Sequence, residues 1–128
     1  MAVARFTKIC IDANDPLALG RFWADVIGYE LEGDDRPADQ REAGLVADEQ
    51  WRVWFNRVPQ PKQVKNRVHL DLNVGGGLEA DPQEKRARIA AEAERLVAAG
   101  AARQAEFDEG REYWLVMQDP EGNEFCIQ

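Results

Sequence analysis

One pattern of punctuation occurs twice in this chain, and it limits what the chain can fold into. Residues 5–13 (RFTKICIDA) alternate, with Ile9 and Ile11 on one side and Lys8, Cys10 and Asp12 on the other, which predicts a strand. Asp15-Pro16 follows, an N-cap residue with proline at the first helical position. Leu19, Phe22, Trp23, Val26 and Ile27 then recur at helical spacing, and Gly28 stands where a helix stops. Short strands are expected at Tyr29–Glu32, near Ala43–Ala47 and at Trp51–Val58, with a polar loop over Gly33–Gln40. Pro59–Asn66 has two prolines and no periodicity and reads as a linker. The pattern then restarts. Arg67–Val74 alternates, Gly75–Gly77 makes a flexible loop, and Asp81-Pro82 opens a helix with Ile89, Ala93, Leu96 and Val97 inward and Gly100 as its stop. Strands near Ala102–Phe107 and Tyr113–Gln118, a turn at Asp119–Gly122 and a last strand at Asn123–Gln128 complete it. The expectation is an α+β fold of two βαβββ modules in one domain: module one 4–58, linker 59–66, module two 67–128.

One helix per module covers one sheet face, so the other face must be covered differently or border a cavity. The residues that would line it are polar: Lys8, Cys10 and Asp12 in the first module, His69, Asp71 and Asn73 in the second. This predicts a wet concave surface between two half-sheets. The plain alternative is two solvent-washed faces. His69 is the only histidine.

Composition removes several function classes. The formal charge is −8 with no Lys/Arg cluster, which disfavours nucleic acid and anionic membranes as partners. No apolar run approaches the length of a membrane span, and the N-terminus lacks the pattern of a secretory signal. Cys10 and Cys126 lie far apart, without the spacing of a zinc motif or a disulfide framework, so a cytoplasmic location is expected.

Three segments carry a resemblance: FWADVIGYEL after the first Asp-Pro, HLDLNV at the start of the second half, and DPEGNEFCI at the C-terminus. Together they resemble the glyoxalase/bleomycin-resistance/dioxygenase group, the vicinal oxygen chelate superfamily, in its glyoxalase-like branch. The resemblance implies two βαβββ half-barrels around a cleft, a small-molecule ligand and a homodimer. It also implies metal-ligand positions on the first and last strand of each module. Carried across, these fall on His69, which fits; on Lys8, which does not; on Cys126 in place of an acid; and near Trp54 and Asn56, where no carboxylate stands.

Lys8 is an ammonium with no lone pair, and one imidazole with one thiol is a thin donor set. No cofactor is therefore expected, with a divalent metal at His69 as the alternative, and glyoxalase I activity itself is disfavoured. The expected catalytic group is His69 as acid or base, Glu124 or Asp71 orienting it, and Lys8 beside a developing oxyanion. Asp12, Trp54, Asn56, Asp71 and Cys126 are expected substrate contacts. Each has a plain structural reading: a Lys–Glu ion pair, a packed tryptophan, a cysteine acting as a small hydrophobe. The competing function is a metal-free protein that sequesters cationic antibiotics, with the acidic charge attracting the ligand and Trp51, Trp54 or Trp114 stacking on it. The helix face Gln83–Arg95 reads as solvated and carries no assigned function.

Overall fold

In a computed structural model, residues 1–32, 41–46 and 51–128 are described. The expected loop over Gly33–Gln40 and the end of the strand near Ala47 lie outside them. The chain divides into two compact units, Met1–Pro61 and Lys62–Gln128, with the boundary inside the expected linker. No helix is long and apolar enough to cross a membrane.

The first unit is built from β1 (Ile9–Ala13), α1 (Pro16–Ile27), β2 (Glu30–Glu32), β3 (Glu42–Val46) and β4 (Arg52–Arg57), with sheet order β1-β4-β3-β2. Helix α1 starts as its sequence demands. The Asp15 carboxylate accepts from the Ala18 amide at 3.1 Å, and Gly28 ends the helix at φ 72°, a left-handed conformation that glycine adopts without a Cβ penalty. Leu19, Phe22 and Trp23 bury one stripe of α1 against Ala43, Leu45 and Phe55 of the sheet. Each such large side chain contributes about 1.5–3 kcal/mol by leaving water. Strand β1 is shorter than the alternation suggested. It begins at Ile9 opposite Val53, close to where β4 itself begins, so Arg5–Thr7 have no ladder to join among the described residues.

The second unit repeats the plan with β5 (Leu70–Leu72), α2 (Pro82–Ala98), β6 (Ala102–Glu109), β7 (Glu112–Gln118) and β8 (Glu124–Ile127), in the order β5-β8-β7-β6. In each unit the outer strand runs parallel to the last strand and the remaining pairs are antiparallel. Both sheets are open. Ile89, Ala93 and Leu96 of α2 are buried on the face that also buries Leu115, Met117, Phe125 and Ile127. One inward assignment is corrected: Val97 is 42% exposed. Val68 is 76% exposed because β5 starts only at Leu70, leaving Val68 beyond the paired segment. The second half of the expected linker is pinned, since Lys62 and Asn66 both bond Glu124.

The DPEGN segment is explained by one turn. Asp119 is buried, and its Oδ1 accepts from the amides of Glu121 and Asn123, each at 2.9 Å. Asn123 Nδ2 donates back to the same carboxylate at 2.8 Å, and Gly122 sits at φ 86°. Asp and Asn close the turn on themselves, glycine supplies the positive φ, and the chain is delivered into β8.

The two units share a register as well as a topology. Ile11 lies opposite Phe55 and the Val58 amide donates to Ala13 O; Leu70 lies opposite Phe125 and the Gln128 amide donates to Leu72 O. Cys10-Ile11-Asp12-Ala13-Asn14 therefore corresponds to His69-Leu70-Asp71-Leu72-Asn73. By this register the counterpart of His69 is Cys10, two residues after Lys8, and the counterparts of Trp54 and Asn56 are Glu124 and Cys126.

Candidate functional site

In the second unit the face turned away from α2 carries Asp71 opposite Cys126, which in turn lies opposite Val116. His69 precedes β5 on the same alternating side. Its Nε2 lies 3.2 Å from Asp71 Oδ1, and the two side chains are 44% and 50% exposed. Cys126 is buried, and its thiol is pushed up to about 11 by loss of water and by the charge and hydrogen bonding of Asp71. The S–H therefore stays protonated near neutral pH and donates to the carboxylate. Asp71 is the hub, with the imidazole Nε2 3.2 Å away on one side and the Cys126 thiol hydrogen-bonded to it on the other.

These groups line a cavity of about 510 Å³ formed within the second unit. Trp114 forms part of its wall and is braced by Phe107, stacked on it at 5.1 Å and 11° across β6 and β7. The glycine loop forms another part and is not loose. The Val74 and Gly75 amides both donate to Gln128 O, and the Gly76 amide donates to Asn73 Oδ1. Lys85, from the first turns of α2, also lines the cavity.

Glu124 is placed differently from its expected role. Its side chain is 6% exposed, and its carboxylate is held by Lys62 Nζ at 3.1 Å and by the Asn66 amide at 3.0 Å. Burial alone would raise its pKa, but the backbone amides and Lys62 outweigh that and hold it below the usual carboxylate range. The carboxylate anchors the entry to the second unit, and Asp71 is the acid that meets the imidazole.

The first unit brings its own expected residues together. Asp12 lies opposite Asn56, and Cys10 opposite Trp54. Lys8 Nζ stands 4.6 Å from the centroid of the Trp54 ring, a cation–π contact, and Trp54 Nε1 donates to Glu42 Oε2 at 3.1 Å. The ring lies flat over Gly44, where any Cβ would run into it. Cys10 is exposed and free.

The imidazole of His69, a carboxylate oxygen of Asp71 and the sulfur of Cys126 all lie within 4.8 Å of one another, a group able to hold a metal ion. A nitrogen, an oxygen and a sulfur suit a borderline ion such as Zn²⁺ better than a hard one, because thiolate prefers softer metals. Sequence reasoning reached His69 and Asp71 through strand alternation and Cys126 through the resemblance. It missed Lys85 and the strut Lys62. Lys85 lies in a helix face whose Arg88–Glu84 and Arg95–Glu92 pairs are the solvated kind expected there, and only the path of the preceding loop sets it apart.

A family model described as a glyoxalase-like domain matches residues 8–128. No curated protein matches the chain by sequence. Among solved structures, a glyoxalase/bleomycin resistance protein/dioxygenase family enzyme from Burkholderia phytofirmans PsJN is 20% identical, with a TM-score of 0.70 and coverage of 97% of each chain. A mutant of the fosfomycin resistance protein FosX from Listeria monocytogenes, complexed with Mn(II) and 1S,2S-dihydroxypropylphosphonic acid, is 12% identical with a TM-score of 0.68, covering 99% of this chain and 90% of that one. Lactoylglutathione lyase from Agrobacterium tumefaciens is 13% identical with a TM-score of 0.60, covering 98% and 93%. At these identities the likeness shows the fold.

Proposed function

The chain belongs to the glyoxalase-like domain family, and on that premise we propose that it is a small-molecule enzyme in which His69 moves a proton on a ligand bound in the second-unit cavity. The observation that carries this is the His69–Asp71 pair on the cavity wall. With the Asp71 carboxylate 3.2 Å from Nε2, the tautomer with its proton on Nε2 is favoured, which leaves the Nδ1 lone pair as the base. When Nδ1 takes a proton from the ligand, the imidazolium forms beside a carboxylate that stabilises it, and the same nitrogen returns the proton. Cys126, protonated and buried, serves Asp71 as a donor and is not the nucleophile.

If an ion is bound, His69, Asp71 and Cys126 would hold it, and it would polarise a ligand oxygen as a Lewis acid. That use of His69 and its use as a base exclude each other. The first-unit face with Lys8, Asp12, Trp54 and Asn56 is, by the same alternation, a second candidate ligand surface. Glu124 is spoken for by Lys62 and Asn66 and takes no part in the proton transfer.

The test is a metabolite and drug screen by thermal shift, followed by turnover assays of the hits with wild type, His69→Asn and Asp71→Asn, each with chelator and with added Zn²⁺. Turnover that survives chelation and falls about 10²-fold or more in His69→Asn supports the imidazole as base. Turnover that appears only with zinc moves the chemistry to the ion. Stabilisation by cationic aromatic drugs without turnover, which the −8 charge would favour, makes the protein a sequestering one and ends the enzyme reading.

A further inference from the structure

Lys85 is half-buried in the cavity wall and, among the described residues, has no ion-pair partner. The nearby acids of α2 are engaged elsewhere: Asp81 caps the helix through the Gln83 and Glu84 amides, and Glu84 pairs with Arg88. The aliphatic stem of Lys85 lies along Gly75, where a Cβ would run into Lys85 Cγ. Gly75 is itself buried and tied through its amide to Gln128 O at 2.9 Å, so the loop cannot step aside. A lysine laid down on a glycine in the cavity wall, with no carboxylate paired to it, is a charge left for something else. Long cationic side chains ordinarily lift their heads to water or to a partner.

We propose that Lys85 is the anion anchor of this cavity, so that the ligand is a small organic anion whose carboxylate, phosphonate or phosphate sits on Lys85 while an apolar part lies against Trp114. This rests on the cavity being the ligand site and adds the substrate class. Asp71 and Glu112 also line the cavity. Asp71 is occupied by the Cys126 thiol and faces His69 at 3.2 Å, and Glu112 lies at the exposed end of β7, so Lys85 is the cationic side chain available to the ligand.

The experiment is calorimetric binding of benzoylformate, phenylphosphonate and methyl benzoylformate at low ionic strength to wild type, Lys85→Met and Lys85→Arg. The methionine variant keeps the unbranched stem on Gly75 and removes only the charge. At least one of the two anions is expected to bind wild type, about tenfold or more tightly than the neutral ester, and which one binds separates carboxylate from phosphonate recognition. Lys85→Met is expected to lose that preference and Lys85→Arg to keep part of it. The anchor is overturned if ester and acids bind alike, if Lys85→Met binds the anions as wild type does, or if neither anion binds. Equal binding of ester and acid would leave the cavity standing as a ligand site, and the role of His69 is judged separately by the His69→Asn turnover assay.

Discussion

His69 and Asp71, two residues apart and on the same side of the chain at the start of the second module, hold Nε2 and Oδ1 3.2 Å from each other. The i, i+2 spacing of an extended chain makes such a pair neighbours without any help from the rest of the fold. What the fold adds is Cys126, brought opposite Asp71 by the parallel pairing of β5 with β8. The reactivity of that thiol is therefore a direct report on the site.

With its thiol held near 11, Cys126 should be alkylated slowly by iodoacetamide at neutral pH, with a rate that rises toward a midpoint about 11. In a Cys10→Ser background only Cys126 is read. Asp71→Asn removes a charge that raises the thiol, so labelling at neutral pH should become faster. Mass spectrometry of timed quenches measures it, and slower labelling in Asp71→Asn would contradict the arrangement.

Glu124 should make the protein sensitive to acid. Its carboxylate titrates lower folded than unfolded, so its stabilising contribution is present above the unfolded value and is lost as pH falls through the lower, folded value. Urea unfolding followed from pH 7 downward should show stability declining below the ordinary glutamate range, and Glu124→Gln should remove part of that slope. Glu124→Ala, which strands Lys62 and the Asn66 amide, should cost about 2–4 kcal/mol at pH 7.

Gly44 should tolerate no side chain. Gly44→Ala places a methyl into the Trp54 ring and should destabilise by about 1–3 kcal/mol, or displace the indole from Lys8 and Glu42. Denaturant unfolding measures the first outcome, and a changed tryptophan emission spectrum the second. An unchanged midpoint with an unchanged spectrum would refute the packing.

Asp119→Ala should damage the second unit more than an average turn substitution, since one carboxylate satisfies the amides of Glu121 and Asn123 and the Asn123 side chain. A loss of about 2–3 kcal/mol in chemical unfolding is expected. A loss within 0.5 kcal/mol, the range of an ordinary surface change, would mean the turn holds without it.

Much of this molecule was legible one residue at a time. Asp-Pro starts, glycine stops and two-residue alternation are local rules: they depend on which φ a residue allows, which amide a short side chain can reach and which side of an extended chain a Cβ occupies. They marked both helices, the doubled strand order, and the side on which His69 and Asp71 lie; Cys126 came through the resemblance. Pairing is not local. That Cys10 and not Lys8 matches His69, that Trp54 and Asn56 match Glu124 and Cys126, and that β1 and β5 start late all follow from hydrogen-bond register between strands distant in sequence. The fates of Glu124 and Lys85 were decided the same way. One charge was consumed by a lysine and an amide some sixty positions earlier, the other left unpaired over a glycine, because electrostatic partners are chosen by distance in space, which a linear chain does not record.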